Sequence, residues 1–234
     1  MKVTQLRFEG FLKTPTLWES SPVYELTQFE IEQKSIGIDT EINTKLRLGK
    51  YVERFVSHQL ANTESISLIA ENIQISKDRI TLGELDCLLY KNANPIHLEV
   101  IYKFYLYDPS CGKTEIDHFI GPNRNDSLAQ KLIKLKEKQL PLLYSNTCKT
   151  YLDELDLKVE DISQQVYFKA QLFLPFSNQN IKLKILNTDC VIGFYINHIE
   201  LQQFKDCKFY IPNKKDWLIL PHAHVNWLNF HVFK

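Results

Sequence analysis

The sequence predicts an α/β protein organised around one central mixed sheet. Three observations carry this prediction. Apolar residues recur at helical intervals between Ile42 and Asn62, three alternating strand-like runs follow between Ser65 and Tyr107, and a second helical stripe begins near Ser127 and is succeeded by further strand-like runs. A chain of 234 residues, 44% hydrophobic and 24% charged, is long enough to bury a core as one domain with a substantial extension.

Residues 1–41 read as an N-terminal helical lead, with a short helix from Arg7 to Trp18 and breaks at Pro15 and Pro22. Residues 42–196 read as the core. In its first helix Leu48, Val52, Phe55 and Val56 form the apolar stripe, and Glu53 lies beside it. The strand runs are Ser65 to Ile75, Ile80 to Tyr90 and Ile96 to Tyr107, and turn-forming Ser76-Lys77-Asp78 and Asn92-Ala93-Asn94-Pro95 divide them into a meander.

The second helix is expected from Asp126 or Ser127 to about Gln139. It places Leu128, Leu132 and Leu135 on one stripe and Lys131, Lys134 and Lys138 on another. Beyond Pro141, the runs Val166 to Leu174, Ile181 to Ile185 and Cys190 to Ile196 read as strands. Lys208 to Ile211 and Trp217 to Leu220 read as shorter ones, which makes residues 197–234 a β-rich C-terminal extension packed on the core.

Composition narrows the function. No run approaches a membrane span, and the amino terminus lacks the apolar core of a signal peptide, so a cytoplasmic protein is expected. The five cysteines are scattered and form no C-x-x-C pair, which argues against a disulfide framework or a zinc knuckle. With 28 basic and 28 acidic residues the chain has no global basic field, so any nucleic-acid contact must use a local basic patch. Oligomeric state is not legible.

The chemistry concentrates in Gly83-Glu84-Leu85-Asp86 and in Glu99-Val100-Ile101-Tyr102-Lys103. Alternation puts Glu84 and Asp86 on one face of their strand, and Glu99, Ile101, Lys103 and Tyr105 on one face of the next. The opposite faces, Leu85, Cys87 and Leu89, and Val100, Tyr102, Phe104 and Leu106, are apolar. A buried carboxylate costs several kcal/mol unless it is paired or bound to a cation, so converging acids indicate a metal site or an ion-pair network. In the ion-pair alternative Asp86, Glu99 and Lys103 pair with one another, Glu84 is solvated at an edge, and Glu53 is a solvated helix position.

The order helix, three-strand meander, helix and further strands resembles the PD-(D/E)xK nuclease superfamily, which implies a restriction-endonuclease-like fold. The words Gly83-Glu84-Leu85-Asp86, Glu99 with Lys103-Phe104-Tyr105-Leu106, Gly121-Pro122-Asn123, Asp126 with Leu128 and Lys131, and Gln139-Leu140 resemble a bacterial family of unknown function, DUF1853. The resemblance implies that Asp86 and Glu99 are metal ligands, with Glu53 as a further ligand, and that Lys103 completes the catalytic set. Lys131 and Gln139 would line the pocket against substrate. The implied activity is Mg²⁺- or Mn²⁺-dependent hydrolysis of nucleic-acid phosphodiester bonds. The other outcome is an inactive nuclease fold that serves as a binding or scaffolding module.

One spacing departs from the superfamily. Its glutamate and lysine stand two apart, whereas Ile101 fills that place here and Lys103 is four from Glu99. Four strand residues span about 13 Å against about 7 Å for two, so Lys103 must lean back or a bulge must shorten the path.

Other motifs are weaker. His222-Ala223-His224 with His231 lacks an acidic or cysteine partner for zinc, and Gly112-Lys113-Thr114 lacks the earlier glycine of a phosphate loop. Ser110 and Cys111 near His118 have no nucleophile elbow.

Overall fold

In the computed structural model, residues 3–32, 36–39, 41–207 and 213–219 are described. Four α-helices, α1 (Val3–Lys13), α2 (Leu48–Ala61), α3 (Leu128–Lys134) and α4 (Asn146–Glu154), surround six strands. The strands are β1 (Ile66–Lys77), β2 (Ile80–Lys91), β3 (Asn94–Tyr107), β4 (Phe119–Ile120), β5 (Ser163–Pro175) and β6 (Val191–Tyr195). They form one mixed sheet in the order β1-β2-β3-β5-β6, with β4 paired to the end of β3. The β1, β2 and β3 meander is antiparallel, and β3, β5 and β6 run parallel.

The meander turns as its residues dictate. Asp78-Arg79 and Asn92-Ala93 form two-residue connections with positive φ at both positions, the left-handed geometry whose twist suits a tight hairpin. On one face of the sheet, Phe8 and Phe11 of α1 and Tyr51, Val52, Phe55 and Val56 of α2 pack against Cys87, Leu89, Leu98 and Tyr102. On the other, Leu128, Leu132 and Leu135 pack against Ile101, Tyr105, Phe168, Ala170 and Leu172. A third cluster joins Ile73, Ile75, Leu85 and Leu88 to Leu143, Cys148 and Leu152 around α4. Burying the apolar side chains of these layers supplies the dominant favourable term for the fold.

The second helix starts one residue after its expected cap. Ser127 accepts from the Gln130 amide while the Gln130 side chain accepts from the Ser127 amide, a reciprocal capping box. The helix is α only to Lys134. Residues Leu135–Gln139 widen into a π-turn, and Leu140–Tyr144 tighten into a 3₁₀ turn with Pro141 near its start. A π-turn holds one more residue per turn and so rotates every later side chain, a device common at functional sites.

Several expectations are corrected. The first helix spans Val3–Lys13 rather than Arg7 to Trp18, and it ends before Pro15. Ile181 to Ile185 is not a strand, because the Glu115 carboxylate takes the consecutive amides of Lys184, Ile185 and Leu186, at 2.6, 3.1 and 2.8 Å. The C-terminal extension is not β-rich among the described residues beyond Asn197. There His198–Phe204 and Asp216–Ile219 are 3₁₀ turns, and Lys208 to Ile211, the histidines His222, His224 and His231, and Leu220 lie outside the described residues. Asp216–Ile219 lies so close to α1 that a Cβ at Gly10 would meet the Leu218 carbonyl oxygen at 1.8 Å, which explains a glycine inside that helix.

Candidate metal centre

The site begins with a break in regular alternation. Leu85 and Leu88 belong to the α4 cluster whereas Cys87 and Leu89 face α2, so Leu85 does not share a face with Cys87 as strict alternation predicts. The kink lies at Asp86. Opposite it in the β1 ladder, between the pairs Glu71 with Cys87 and Ile73 with Leu85, stands Asn72 at φ 55°. Asparagine is one of the few residues that enter the left-handed region at low cost.

From that kink β2 leaves β3. Their ladder ends at the pair Cys87 with Leu98, and the Asp86 carboxylate then accepts the Val100 amide at 2.8 Å in place of a backbone partner. Pairing on this edge of β3 resumes only at Leu106, opposite Ile120 of β4, while the other edge pairs with β5 from Ile96 to Leu106. Between Glu99 and Tyr105, therefore, no described strand covers the β2-side edge of β3.

Three carboxylates converge at the mouth of this gap. Ligand oxygens of Glu53 from α2 and of Glu84 and Asp86 from β2 lie within 4.8 Å of one another, and all three residues are partly buried. Lys50, one turn before Glu53, inserts its ammonium between Glu53, at 2.8 Å, and Glu84, and also donates to the Asn72 side chain at 3.1 Å. Glu53 Oε2 makes this ionic contact but no well-aligned hydrogen bond, so a buried oxygen remains without one. Burial raises the Glu53 pKa against the pull of Lys50. Burial also raises that of Asp86, to about 8, and the nearby Glu99 adds to it while the Val100 amide opposes. The group is short of positive charge, and hard oxygen donors in this number suit Mg²⁺ or Mn²⁺.

Glu99 is held differently. It is fully buried, its Oε1 3.2 Å from His97 Nε2 and its Oε2 accepting from Gln139 Nε2 at 2.6 Å. The Gln164 amide nitrogen is fixed by donation to the Leu140 carbonyl at 2.6 Å and also donates to His97 Nδ1 at 3.3 Å. Nδ1 is thus an acceptor, so Nε2 carries the proton and donates to Glu99. Gln139 Oε1 in turn accepts from Lys131 Nζ at 2.7 Å. Burial lowers the Lys131 pKa to about 8, although Glu99 and Asp86 both favour its charged form.

The expected residues therefore divide. Asp86 and Glu53 come together in the acidic group, while Glu99 lies opposite Asp86 but spends both oxygens on His97 and Gln139. Lys131 and Gln139 do line the site, as a relay behind Glu99. Lys103 forms an ion pair with Asp126 at 2.6 Å, further along β3, and not with Asp86 or Glu99. The ion-pair alternative built on Lys103 is corrected accordingly, with Lys50 as the cation at the acids. Glu84, solvated only in the ion-pair alternative, belongs to the cluster, and its place two residues before Asp86 is the signal in the sequence. His97, Lys50 and Asn72 were not anticipated.

The remaining motifs are structural. The amides of Lys113 and Thr114 cap the Asp117 carboxylate, and the Ser110 hydroxyl donates to Asp108 at 2.6 Å while His118 contacts the Cys111 carbonyl. Cys87 is buried in the core, and burial holds its thiol protonated. Among the described residues no helix is long and apolar enough to cross a membrane.

The family model of a domain of unknown function, DUF1853, matches residues 11–230. The chain belongs to the DUF1853 family. That match spans the acidic group, the Glu99 relay and the whole sheet. No curated protein and no solved structure matches.

Proposed function

We propose that this protein is a Mg²⁺- or Mn²⁺-dependent nuclease of restriction-endonuclease-like fold, a member of the PD-(D/E)xK group. The observation that supports it most is the convergence of Glu53, Glu84 and Asp86 where β2 parts from β3. A divalent ion there would neutralise phosphodiester charge and acidify water. Lys50 would have to release Glu53 and Glu84 for the ion to bind, and its exposure allows the side chain to swing outward.

In this reading Lys131 takes the place that the superfamily gives to a lysine two residues beyond Glu99. It reaches the site from α3 and is connected to Glu99 through Gln139, and its lowered pKa allows it to give up or accept a proton near neutral pH. Glu99 and His97 act by orienting Gln139. Lys103 is left for substrate contact.

The Lys50 bridge also favours a second reading, an inactive fold that binds nucleic acid or a protein partner, because the ammonium already stands between two of the acids where an ion would sit. A cleavage assay separates the two. Single- and double-stranded DNA and RNA are incubated with the protein in Mg²⁺, Mn²⁺ or EDTA, beside Asp86→Asn and Glu53→Gln. The nuclease reading expects cleavage that requires metal and falls at least a hundredfold in either variant. Equal cleavage in all preparations, or none in any, contradicts it.

A further inference from the structure

The unpaired stretch of β3 opens onto a cavity of about 650 Å³ that the acidic group does not use. Its floor is apolar, formed by Tyr102, Phe104 and Trp217, with the last two rings 4.9 Å apart. Its rim is cationic: Arg47, Lys103 and Lys214 line it against one carboxylate, Asp126, which Lys103 already neutralises. Arg47 and Lys214 are exposed and form no ion pair among the described residues. Asn123 and Asn125, on the loop that the Gly121 amide closes against the Asp126 carbonyl, add amide groups.

Two sets of backbone donors meet at the same place. Val100 turns its amide toward the β2 side, so alternation turns those of Tyr102 and Phe104 the same way, along the edge that no described strand covers. The other set is the start of α2. Arg47 supplies no side-chain cap, the first turn holds no acid, and a Cβ at Gly49 would meet nothing within 4 Å. The first amides of α2 consequently lack intrahelical partners. Cations, strand-edge amides and helix amides around an apolar floor form a receptor for a phosphate that carries a flat or sugar-like apolar body.

The location says which phosphate. Gly49 precedes Glu53 by four residues, a rise of about 6 Å along the helix, and Tyr102 follows Val100 by two, about 7 Å along the strand. The cavity therefore adjoins the acidic group along both elements that build it. We infer that this cavity holds a nucleotide unit of a nucleic-acid strand next to the bond presented at Glu53, Glu84 and Asp86. The inference rests on the proposed nuclease reading for its choice of ligand but makes its own claim, that affinity for the strand resides in Arg47, Lys103 and Lys214 rather than in the lysines of α3.

Fluorescence anisotropy in EDTA tests it without any cleavage. Fluorescein-labelled single-stranded DNA and RNA of one mixed sequence are titrated with wild type, the double variant Arg47→Ala/Lys214→Ala and the control Lys134→Ala on α3, each checked for native circular dichroism. The expected result is wild-type binding to at least one strand, at least tenfold weaker binding by the double variant, and little change in the control. The slope of log affinity against log salt should also fall by about 0.7 for each cation removed. Wild-type affinity in the double variant overturns the inference, as does absence of binding by wild type. Displacement of the strand by an equal concentration of free thymidine monophosphate assigns the cavity to free nucleotides and overturns it too. Failure of this inference is separable from failure of the nuclease reading: metal-dependent cleavage with an unaffected double variant removes only the cavity's role, whereas a weakened double variant without cleavage in any metal removes only the nuclease.

Discussion

The Asp86 carboxylate accepts the Val100 amide at 2.8 Å, so a side chain completes a ladder that the β2 backbone has abandoned. This contact places an acid inside the sheet and near Glu99 and Glu53, and burial then pushes its pKa to about 8. The native state holds a proton there that the unfolded chain releases near pH 4. A group whose native pKa is raised in this way destabilises the fold increasingly as pH rises between those two values. Asp86→Asn keeps an oxygen for the Val100 amide and removes the charge. In EDTA at pH 7.5 the variant is expected to unfold at higher temperature than wild type, by roughly 3–10 °C for about 1–3 kcal/mol in a chain of this size. At pH 4 the difference should vanish. Differential scanning fluorimetry at the two pH values checks both.

Among the described residues, Gln139 is the one side chain that joins Lys131 to Glu99. Its removal in Gln139→Ala leaves a fully buried carboxylate with His97 as its one donor and leaves Lys131 without its partner. Leaving buried polar groups unmatched costs about 1–3 kcal/mol. Urea unfolding should show a midpoint lowered accordingly, with unchanged slope.

The two lysines should separate in kinetics. Lys131→Ala is expected to lower single-turnover cleavage by at least a hundredfold at saturating substrate, since it removes the cation next to Glu99. Lys103→Ala, which loses the Asp126 pair, should weaken substrate binding and change the saturated rate by less than tenfold. The reverse order would return the catalytic role to Lys103.

Lys169 offers a pH test far from the site. It is buried in the core, donates to the Phe11 and Leu12 carbonyls at 3.0 and 3.2 Å, and lies over the Phe11 and Tyr167 rings. Burial lowers its pKa to about 7. Between pH 7 and its unfolded value near 10.4, the unfolded chain binds the extra proton, so wild-type stability attributable to this residue rises with pH. Lys169→Met lacks that rise. Relative to wild type, the variant should therefore lose stability steadily from pH 7 to pH 9.5, measured by urea unfolding at each pH.

Much of the sheet could be read from alternation and turn chemistry, since β1, β2 and β3 follow their apolar pattern and both hairpin connections stand at turn-forming residues. The family membership was likewise legible in the words around Glu84, Asp86, Glu99 and Gln139. What alternation cannot show is where it stops. The kink at Asp86 depends on Asn72, fourteen residues earlier, and without it Leu85 and Cys87 appear to share a face. The partners of Glu84 are not legible either, because only the tertiary placement of α2 brings Lys50 and Glu53 against it. The π-turn at Leu135–Gln139 leaves no periodic trace in five residues, yet it carries Gln139, which donates to Glu99. Ile181 to Ile185 alternates like a strand, and only the spatial neighbour Glu115 reveals that its amides are used otherwise.

In the proposed function Glu53, Glu84 and Asp86 hold a divalent ion. Isothermal titration of metal-stripped protein with Mn²⁺ reads this without any substrate. Saturable binding is expected in wild type, weakened at least tenfold by Asp86→Asn and by Glu53→Gln and unchanged in Lys103→Ala. Binding that survives in both acid variants, or no binding in wild type, would rule the site out.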